Sequence, residues 1–494
     1  MYARLQSPFT DAAPLVTFVL FLTVIGGYLV AQTSAGISLG LLLVVVILFI
    51  AFFNPELALH IILLSMLLSP EVVVGGVGGI SLGKPGTKGD VLVLRVEDLV
   101  LSGVAVAWIA RTAIFKELGL IRQTPLNPAI LAYVVSLALS TLLGVLTGTV
   151  LPIRGLFFTL KYIEYFVVYF ITVNYIQEQR QLRRLLTTAF VTCAVACAMG
   201  IAQIPTGERV SAPFEGQYGE PNTFGGYLVF MLALSLGQLL TAPTLPTLLG
   251  WSTFAGLVIL PLLYTLSRSS WLATIPMLLT LMLLSRRRLL LMTIVGTAII
   301  VGSLMFPKQV IDRYNYTFHD QVDRGAYTFV GRRLDLSTSA RFDSWRIGAQ
   351  GWSQRPLLGY GVTGFAFMDA QLVRVLVETG LVGLCAFLWL LWRILRGAWG
   401  AQRSFGGTRF EGLTLGYLAG LVAMITHAIG ANTFIIVRIM EPFWFITAVI
   451  FVLPSLRTVA SDLPAGPAPD IPERHLDRVE RLDQAPRGRP GIGA

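Results

Sequence analysis

Apolar runs long enough to cross a hydrocarbon core, about 20 residues each, follow one another along nearly the whole chain. Leu41 to Phe53 contains no polar side chain at all. A transmembrane β-barrel would instead alternate apolar and polar residues over ~10-residue segments, so the runs specify helices. The balance of residue types agrees. Only 13% of the chain is charged and 55% is hydrophobic, against roughly 25% charged in soluble domains, and the mean hydropathy is +0.72. The chain therefore reads as an all-α, polytopic transmembrane helical bundle of 12–14 spans. The candidate spans are 14–31, 36–53, 55–70, 93–110, 128–147, 156–176, 185–204, 222–240, 248–266, 269–285, 289–306, 371–395, 412–433 and 442–456. A Gly-rich, Lys-containing stretch, Val74 to Asp90, separates the third and fourth and reads as re-entrant or interfacial.

Short-loop arginines orient the bundle. Arg180, Arg183 and Arg184, then Arg286, Arg287 and Arg288, then Arg396, Arg403 and Arg409 fall on one side of this count, with Arg111, Lys116 and Arg122. Positive residues near span ends favour the cytoplasm, so both termini are expected there. The net charge of +10 is explained by this bias. It does not gather on a soluble domain as nucleic-acid binding would require. The first span lacks a basic region followed by a small-residue cleavage site, and reads as an uncleaved anchor. Three divisions result: helices over 1–204, a functional region over 205–456, and a Pro-rich cytoplasmic tail over 457–494 expected to be disordered. Cys193, Cys197 and Cys385 lie inside spans with no metal-ligating neighbours in sequence, and read as packing residues.

One long polar interval interrupts the apolar pattern, and it is expected to be a single outward loop, 307–370. Arg313, Arg324, Arg332, Arg333, Arg341, Arg346 and Arg355 are set there against Asp312, Asp320, Asp323, Asp335, Asp343 and Asp369. Its single histidine, His319, reads as solvated. Gly359-Tyr-Gly-Val-Thr-Gly364 has the spacing of a dinucleotide fingerprint, but no strand or βαβ unit precedes it. Two readings stay open for it, an anion-cradling turn or merely a tight turn. Asp320 and Asp323 make no convincing divalent-metal set; neither a metal nor a cofactor is expected.

Charges at bilayer depth cost on the order of 3 kcal/mol each and need a reason. Arg268, in Ser267-Arg-Ser-Ser-Trp271, stands on the outward side, against the charge bias and among hydroxyls; it reads as a snorkelling arginine or a functional one. Arg154 and Arg209 are further outward basic residues. Lys161 and Glu164, and again Arg438 and Glu441, are spaced as i,i+3 structural pairs. His60 and His427 read as histidines satisfied by helix neighbours. Arginine forks fit phosphate oxygens bidentately, so an outward arginine-lined site suits a lipid-linked phosphate or pyrophosphate.

At these residues the chain resembles the O-antigen ligase/polymerase family of membrane glycosyltransferases. Tyr264-Thr-Leu-Ser-Arg-Ser-Ser-Trp271 is similar to the family's Ser-Arg motif. Arg341-Phe-Asp-Ser-Trp345 with Pro356-Leu-Leu-Gly-Tyr-Gly361 is similar to its arginine-Trp and Pro-Leu-x-Gly-x-Gly run. Glu378-Thr-Gly-Leu-Val-Gly383 and Gly219-Glu-Pro-Asn-Thr-Phe224 match two further elements. The resemblance covers 205–450 and is densest over 263–383. It implies a GT-C-like helical fold in a bacterial inner membrane, working with a polyprenyl-pyrophosphate-linked glycan donor, a sugar-hydroxyl acceptor and membrane lipid, alongside other polysaccharide-assembly proteins. It further implies metal-independent, inverting transfer at the outer face. By motif position, Arg268 and Arg341 would grip the pyrophosphate; Arg346 and Gln371 are expected to assist, and Glu378, Arg154 and Arg209 to contact substrate.

One departure stands out. Ligases of the family commonly carry a histidine just before the Glu-Thr-Gly helix, where this chain reads Phe367-Met-Asp-Ala-Gln-Leu372. Asp369 is the available base there; orienting the acceptor or capping the helix are its other roles. The missing histidine favours a polymerase over a ligase. A transporter or lipid-linked glycan flippase is the alternative, but the two-half symmetry common in transporters is absent from the sequence.

Overall fold

The computed structural model describes residues 45–69, 71–73, 93–115, 122–214, 219–305, 328–329, 332–333, 336–366 and 368–462. Span 14–31, the start of span 36–53, the whole Val74–Asp90 stretch, Lys116, Asp312, Arg313, His319, Asp320, Asp323, Arg324, Asp335 and Phe367, and the tail beyond 462 lie outside these residues. The chain divides into two units, Met1–Leu453 and Pro454–Ala494; the cavities and side-chain interactions described below lie in the first.

Residues 45–53 are helical. Among the described residues, thirteen further α-helices follow: α1 Pro55–Leu68, α2 Val96–Phe115, α3 Asn127–Leu146, α4 Pro152–Tyr175, α5 Gln179–Gln203, α6 Pro221–Thr241, α7 Leu245–Tyr264, α8 Arg268–Leu284, α9 Arg288–Met305, α10 Leu336–Gln354, α11 Gln371–Phe405, α12 Glu411–Gly430 and α13 Val437–Asp462. Two short antiparallel ladders accompany them, β1 (Glu71–Val73) with β2 (Val93–Arg95) and β3 (Thr328–Phe329) with β4 (Arg332–Arg333). Among the described residues, eight helices are long and apolar enough to cross a membrane, and α1 and α8 are shorter apolar helices. The all-α polytopic expectation is met.

Local chemistry starts these helices where the sequence allows. Proline stands in the first turn of α1, α4 and α6, where its missing N–H costs nothing and its φ is already helical. Asn54 caps α1 by accepting from the Leu57 N–H at 3.1 Å. At α5 a capping box joins Glu178 and Gln181, satisfying two orphan donors at once.

Three helices, α6, α12 and α13, are buried over most of their surface and form the centre. Helices α6 and α12 approach backbone to backbone because Gly237, Gly412 and Gly416 face each other. A Cβ on Gly237 would sit 2.3 Å from the Gly412 carbonyl oxygen, so only small residues permit this contact. Phe230, Tyr417 and Phe443 then interlock α6, α12 and α13. Trp444 carries the core to α4 through Tyr165, Phe166 and Tyr169.

The polar interval is corrected in one respect: it is not only loop. Residues 336–354 form α10, which packs against α11. Its inward stripe includes Ser344, Gly348 and Gly351, while Phe342, Trp345 and Ile347 are exposed. Apolar periodicity is the primary sequence sign of a helix, and here the buried stripe is small and polar, so that sign is missing.

Candidate functional site

A cavity of about 390 Å³ opens between α4, α11, the start of α6 and the connection from α12 to α13. From α4 come Arg154, Phe158, Lys161 and Tyr162, spaced i, i+4, i+7 and i+8 and hence on one face. Helix α11 adds Arg374 and Glu378, one turn apart, and Asp369 stands just before it. Glu220 and Asn222 come from the start of α6, Thr363, Phe365 and Ala366 from the end of the glycine-rich segment and just after it, and Ala431 and Asn432 from beyond α12.

Charge in this cavity is arranged in pairs. The Arg374 Nε donates to Glu378 Oε1 at 3.2 Å, and its guanidinium lies 5.9 Å from the Tyr162 ring centroid. Lys161 donates to both oxygens of Asp98, at 2.8 and 2.9 Å, and lies 3.8 Å from Glu164. The expected Lys161–Glu164 pair exists, but Asp98 of α2 is the nearer partner. Asp369 is different. Burial pushes its carboxyl above the ordinary carboxylate range, against the lowering influence of Arg341 and Arg374. Its carboxylate is not spent on capping either, since the N-cap of α11 is Ala370 and no side chain caps it.

Among the buried polar atoms on this wall that lack a protein hydrogen-bond partner are Thr363 Oγ1 and Asn432 Oδ1. Such atoms are uncommon and call for an explanation. The Asn432 side chain is held in place by its amide, which donates to the Met368 carbonyl at 2.7 Å. Thr363 adopts φ 66°, a conformation that non-glycine residues rarely hold without a reason. Both can receive a hydroxyl-rich ligand.

Two sequence motifs prove to be halves of one device. Gly380 (φ 65°, ψ −166°) breaks α11 into 371–379 and 381–405. Segment 356–361 lies along the break. Leu381 and Val382 donate to the carbonyls of Pro356 and Leu357 at 2.8 and 3.2 Å, and Tyr360 and Gly361 donate to those of Val377 and Glu378 at 3.0 and 2.8 Å. Ser140 of α3 donates to the carbonyls of Leu358 and Glu378. These bonds satisfy the backbone groups that a broken helix exposes. Val362 donates to Thr141 Oγ1, Thr363 to Glu378 Oε1 and Gly364 to the Gly361 carbonyl. Every amide from 360 to 364 is therefore committed inside the protein, and the glycines serve a close backbone interlock rather than an anion cradle.

Arg268 begins α8, just beyond a buried turn. Ser267 accepts from the Ser270 hydroxyl at 2.8 Å, and Ser270 meets His427 Nε2 at 3.2 Å. His427 Nδ1 lies 2.7 Å from Thr433 Oγ1. Arg341, on α10, approaches the other end of this group: a Cβ on Gly430 would be 3.4 Å from Ser269 Cβ and 3.7 Å from an Arg341 terminal nitrogen. Arg209 donates to the carbonyls of Thr265 and Leu266 at 3.0 and 3.4 Å, and to Asn222 at 3.5 Å. It thus ties the Arg268 turn to the cavity wall.

Of the residues anticipated from sequence, Arg154, Asp369 and Glu378 line the cavity. Arg341 acts on Asp369 electrostatically, and Arg268 and Arg209 belong to the adjoining turn. Gln371 is buried behind the wall, where its Oε1 accepts from the Phe434 N–H at 3.0 Å. Arg346 is exposed on α10 and is not part of the lining. Sequence reading missed Arg374, although an arginine four residues before Glu378 in an apolar span is itself a signal. Asn432 gave no such sign. His60 meets Thr188 of α5 and, one turn away on its own helix, Glu56 at 3.9 Å, whereas His427 is satisfied by Ser270 and Thr433 on other elements. Arg438 pairs with Glu97 at 4.0 Å.

Residues 253–388 match a family model described as O-Antigen ligase. This supports assignment to the O-antigen ligase/polymerase family and, with the apolar helices, a membrane protein of glycan processing. The matched stretch contains the Ser-Arg, arginine-Trp, Pro-Leu-x-Gly-x-Gly and Glu-Thr-Gly motifs, while Gly219 to Phe224 lies before it. No curated protein matches the chain.

Proposed function

We propose, with the O-antigen ligase/polymerase assignment of residues 253–388 as premise, that the chain transfers oligosaccharide from polyprenyl pyrophosphate to a sugar hydroxyl at the outer face of the cytoplasmic membrane. The observation that carries this reading is the cavity. It combines arginines suited to phosphate oxygens, partnerless polar atoms suited to sugar hydroxyls, and a half-buried carboxylate with raised proton affinity.

The reaction follows from those groups. The acceptor hydroxyl attacks the anomeric carbon, the bond from that carbon to the pyrophosphate oxygen breaks, and the leaving lipid pyrophosphate carries away the electron pair. Arg268, Arg341 and Arg374 stabilise the charge that develops there, an effect strongest in a preorganised, water-poor site. Asp369 takes the hydroxyl proton. Attack opposite the leaving group inverts the anomeric centre. The absence of a histidine between Phe367 and Leu372 favours polymerisation over ligation.

The test offers purified protein a polyprenyl-pyrophosphate oligosaccharide. Lengthened or transferred glycan should form with the wild type and be lost with Arg268→Ala and with Arg341→Ala. Undiminished activity in both variants would sink the site assignment. Transport of the intact lipid with no new glycosidic bond would favour a flippase instead.

The base role makes a separate demand on pH. A general base works only when ionised, and the carboxyl of Asp369 titrates above the ordinary carboxylate range. The rate should therefore fall, as pH drops, before ordinary carboxylates (about 3.9 for Asp) protonate. Asp369→Asn should lose about 10²–10⁴-fold in rate, and its residual rate should lack that acid limb. An unchanged limb in the Asn variant would assign the proton to another group.

A further inference from the structure

A second cavity, of about 520 Å³, lies at the opposite end of the bundle. Helix α8 separates the two: Arg268 is at one end, and Ser285 to Arg287 follow the other, roughly 25 Å away at 1.5 Å per residue. Helix α12 runs the same span in reverse, from Glu411 to Gly430 beside Arg341. Arg286, Arg287 and Arg409 line this second cavity against one carboxylate, Glu411. The formal balance is three positive charges to one negative, and nothing in the transfer reaction uses them.

These arginines are differently held. Arg287 donates to the Ala242 carbonyl at 2.8 Å and secures the turn between α6 and α7. Arg286 is 79% exposed in its side chain and only 4.0 Å from Glu411 Oε1, whose partner oxygen already accepts from the Gly407 N–H at 2.7 Å. Arg409 stacks 5.0 Å over the Phe410 ring. Two of the three guanidiniums thus keep donors to offer an anion.

An apolar groove of about 460 Å³ between α5 and α7 continues from this cavity, sharing Gln238 and Trp251 with it. Phe190, Trp251 and Phe254 form its wall in mutual edge contacts, with centroids 5.0 to 5.8 Å apart. Val191 on its rim is half exposed. On a membrane protein such a face meets acyl chains.

A basic, polar cavity joined to an apolar groove at a helix end has the shape of one amphiphile. We infer that the two together bind a single anionic phospholipid, its phosphate between Arg286 and Arg409 and an acyl chain along the Phe190–Trp251–Phe254 wall. Charge complementarity selects this occupant. A zwitterionic lipid would bring its ammonium against a surplus of arginines, and a free anion would leave the groove unused. The volume is within the roughly 300–1,000 Å³ of small-molecule sites. This inference does not depend on the catalytic assignment.

Native mass spectrometry of the purified full chain tests it, with dioleoyl phosphatidylglycerol or dioleoyl phosphatidylcholine added. The wild type should retain one phosphatidylglycerol in preference to phosphatidylcholine. The variant Arg286→Gln/Arg409→Gln should lose about 30-fold in that retention, the order expected for two arginines near an anionic headgroup. Arg286→Lys/Arg409→Lys should keep the preference, which separates loss of charge from loss of fold. Equal retention of both lipids by the wild type, unchanged retention in the Gln variant, or displacement by excess inorganic phosphate would each overturn the proposal.

Discussion

Gly380→Ala is expected to prevent folding of the half of the bundle that holds the first cavity. At φ 65° and ψ −166° the backbone is in a region essentially reserved for glycine, costing about 1–3 kcal/mol for any other residue. A Cβ there would also lie 2.2 Å from the Leu357 carbonyl oxygen and 2.5 Å from the Leu358 nitrogen. Those are backbone atoms, which cannot swing aside as a side chain end would. Overpacking of that kind costs about 1–3 kcal/mol more. The bonds from Leu381 and Val382 to Pro356 and Leu357 would open, and the carbonyls they satisfy would be stranded. The control lies in the same helix: a Cβ on Gly400 meets nothing within 4 Å. Gly400→Ala should leave the melting temperature in detergent unchanged or raised slightly, since alanine favours a helix by about 0.5–1 kcal/mol. Gly380→Ala should lower it by many degrees or yield only aggregate. Equal melting of the two variants would show that the break in α11 is dispensable.

The second large effect is expected at Arg374. Replacing it by methionine leaves Glu378, only 8% exposed in its side chain, without its charged partner. Breaking one side of a buried pair costs about 3–5 kcal/mol, whereas replacing both partners by apolar residues is often neutral. Arg374→Met should therefore be strongly destabilised, and Arg374→Met/Glu378→Met should recover much of the stability. Activity should not follow. If Arg374 stabilises the leaving pyrophosphate, transfer in the double variant should remain down about 10²–10³-fold, the usual cost of losing one such donor. Thermal melting and single-turnover transfer, measured on the same preparations, distinguish the two roles. Recovery of transfer along with stability would make Arg374 a purely structural partner of Glu378.

Arg374 also illustrates how unevenly the site can be read from sequence. Arg268 and Arg341 stand out because each is flanked by a short motif and violates the charge bias. Arg374 is inside an apolar run that hydropathy alone treats as ordinary span. Asn432 is an asparagine in a short connection, and only the cavity facing it gives it meaning. Arg346 shows that proximity in sequence does not bring two residues to one place. It is five residues from Arg341, and on a helix this turns its side chain to an exposed face.

The helices themselves were legible because the bilayer leaves few alternatives. An apolar run of spanning length must satisfy its own backbone, and a helix does so locally. Each predicted span from 55 onward coincides with a helix, with ends shifted by a few residues in most cases. Helix α10 escaped for the opposite reason, since Ser344, Gly348 and Gly351 pack without an apolar stripe.

The sequence by itself determined the all-helical membrane architecture, the polar interval and the arginine motifs, because hydropathy and charge act locally along the chain. Tertiary structure alone decided what the motifs do to one another. The glycine-rich segment and the Glu-Thr-Gly turn are separated in sequence, yet they exchange backbone hydrogen bonds across the break in α11. Spacing cannot reveal such an exchange, because it depends on where two distant backbones come to touch.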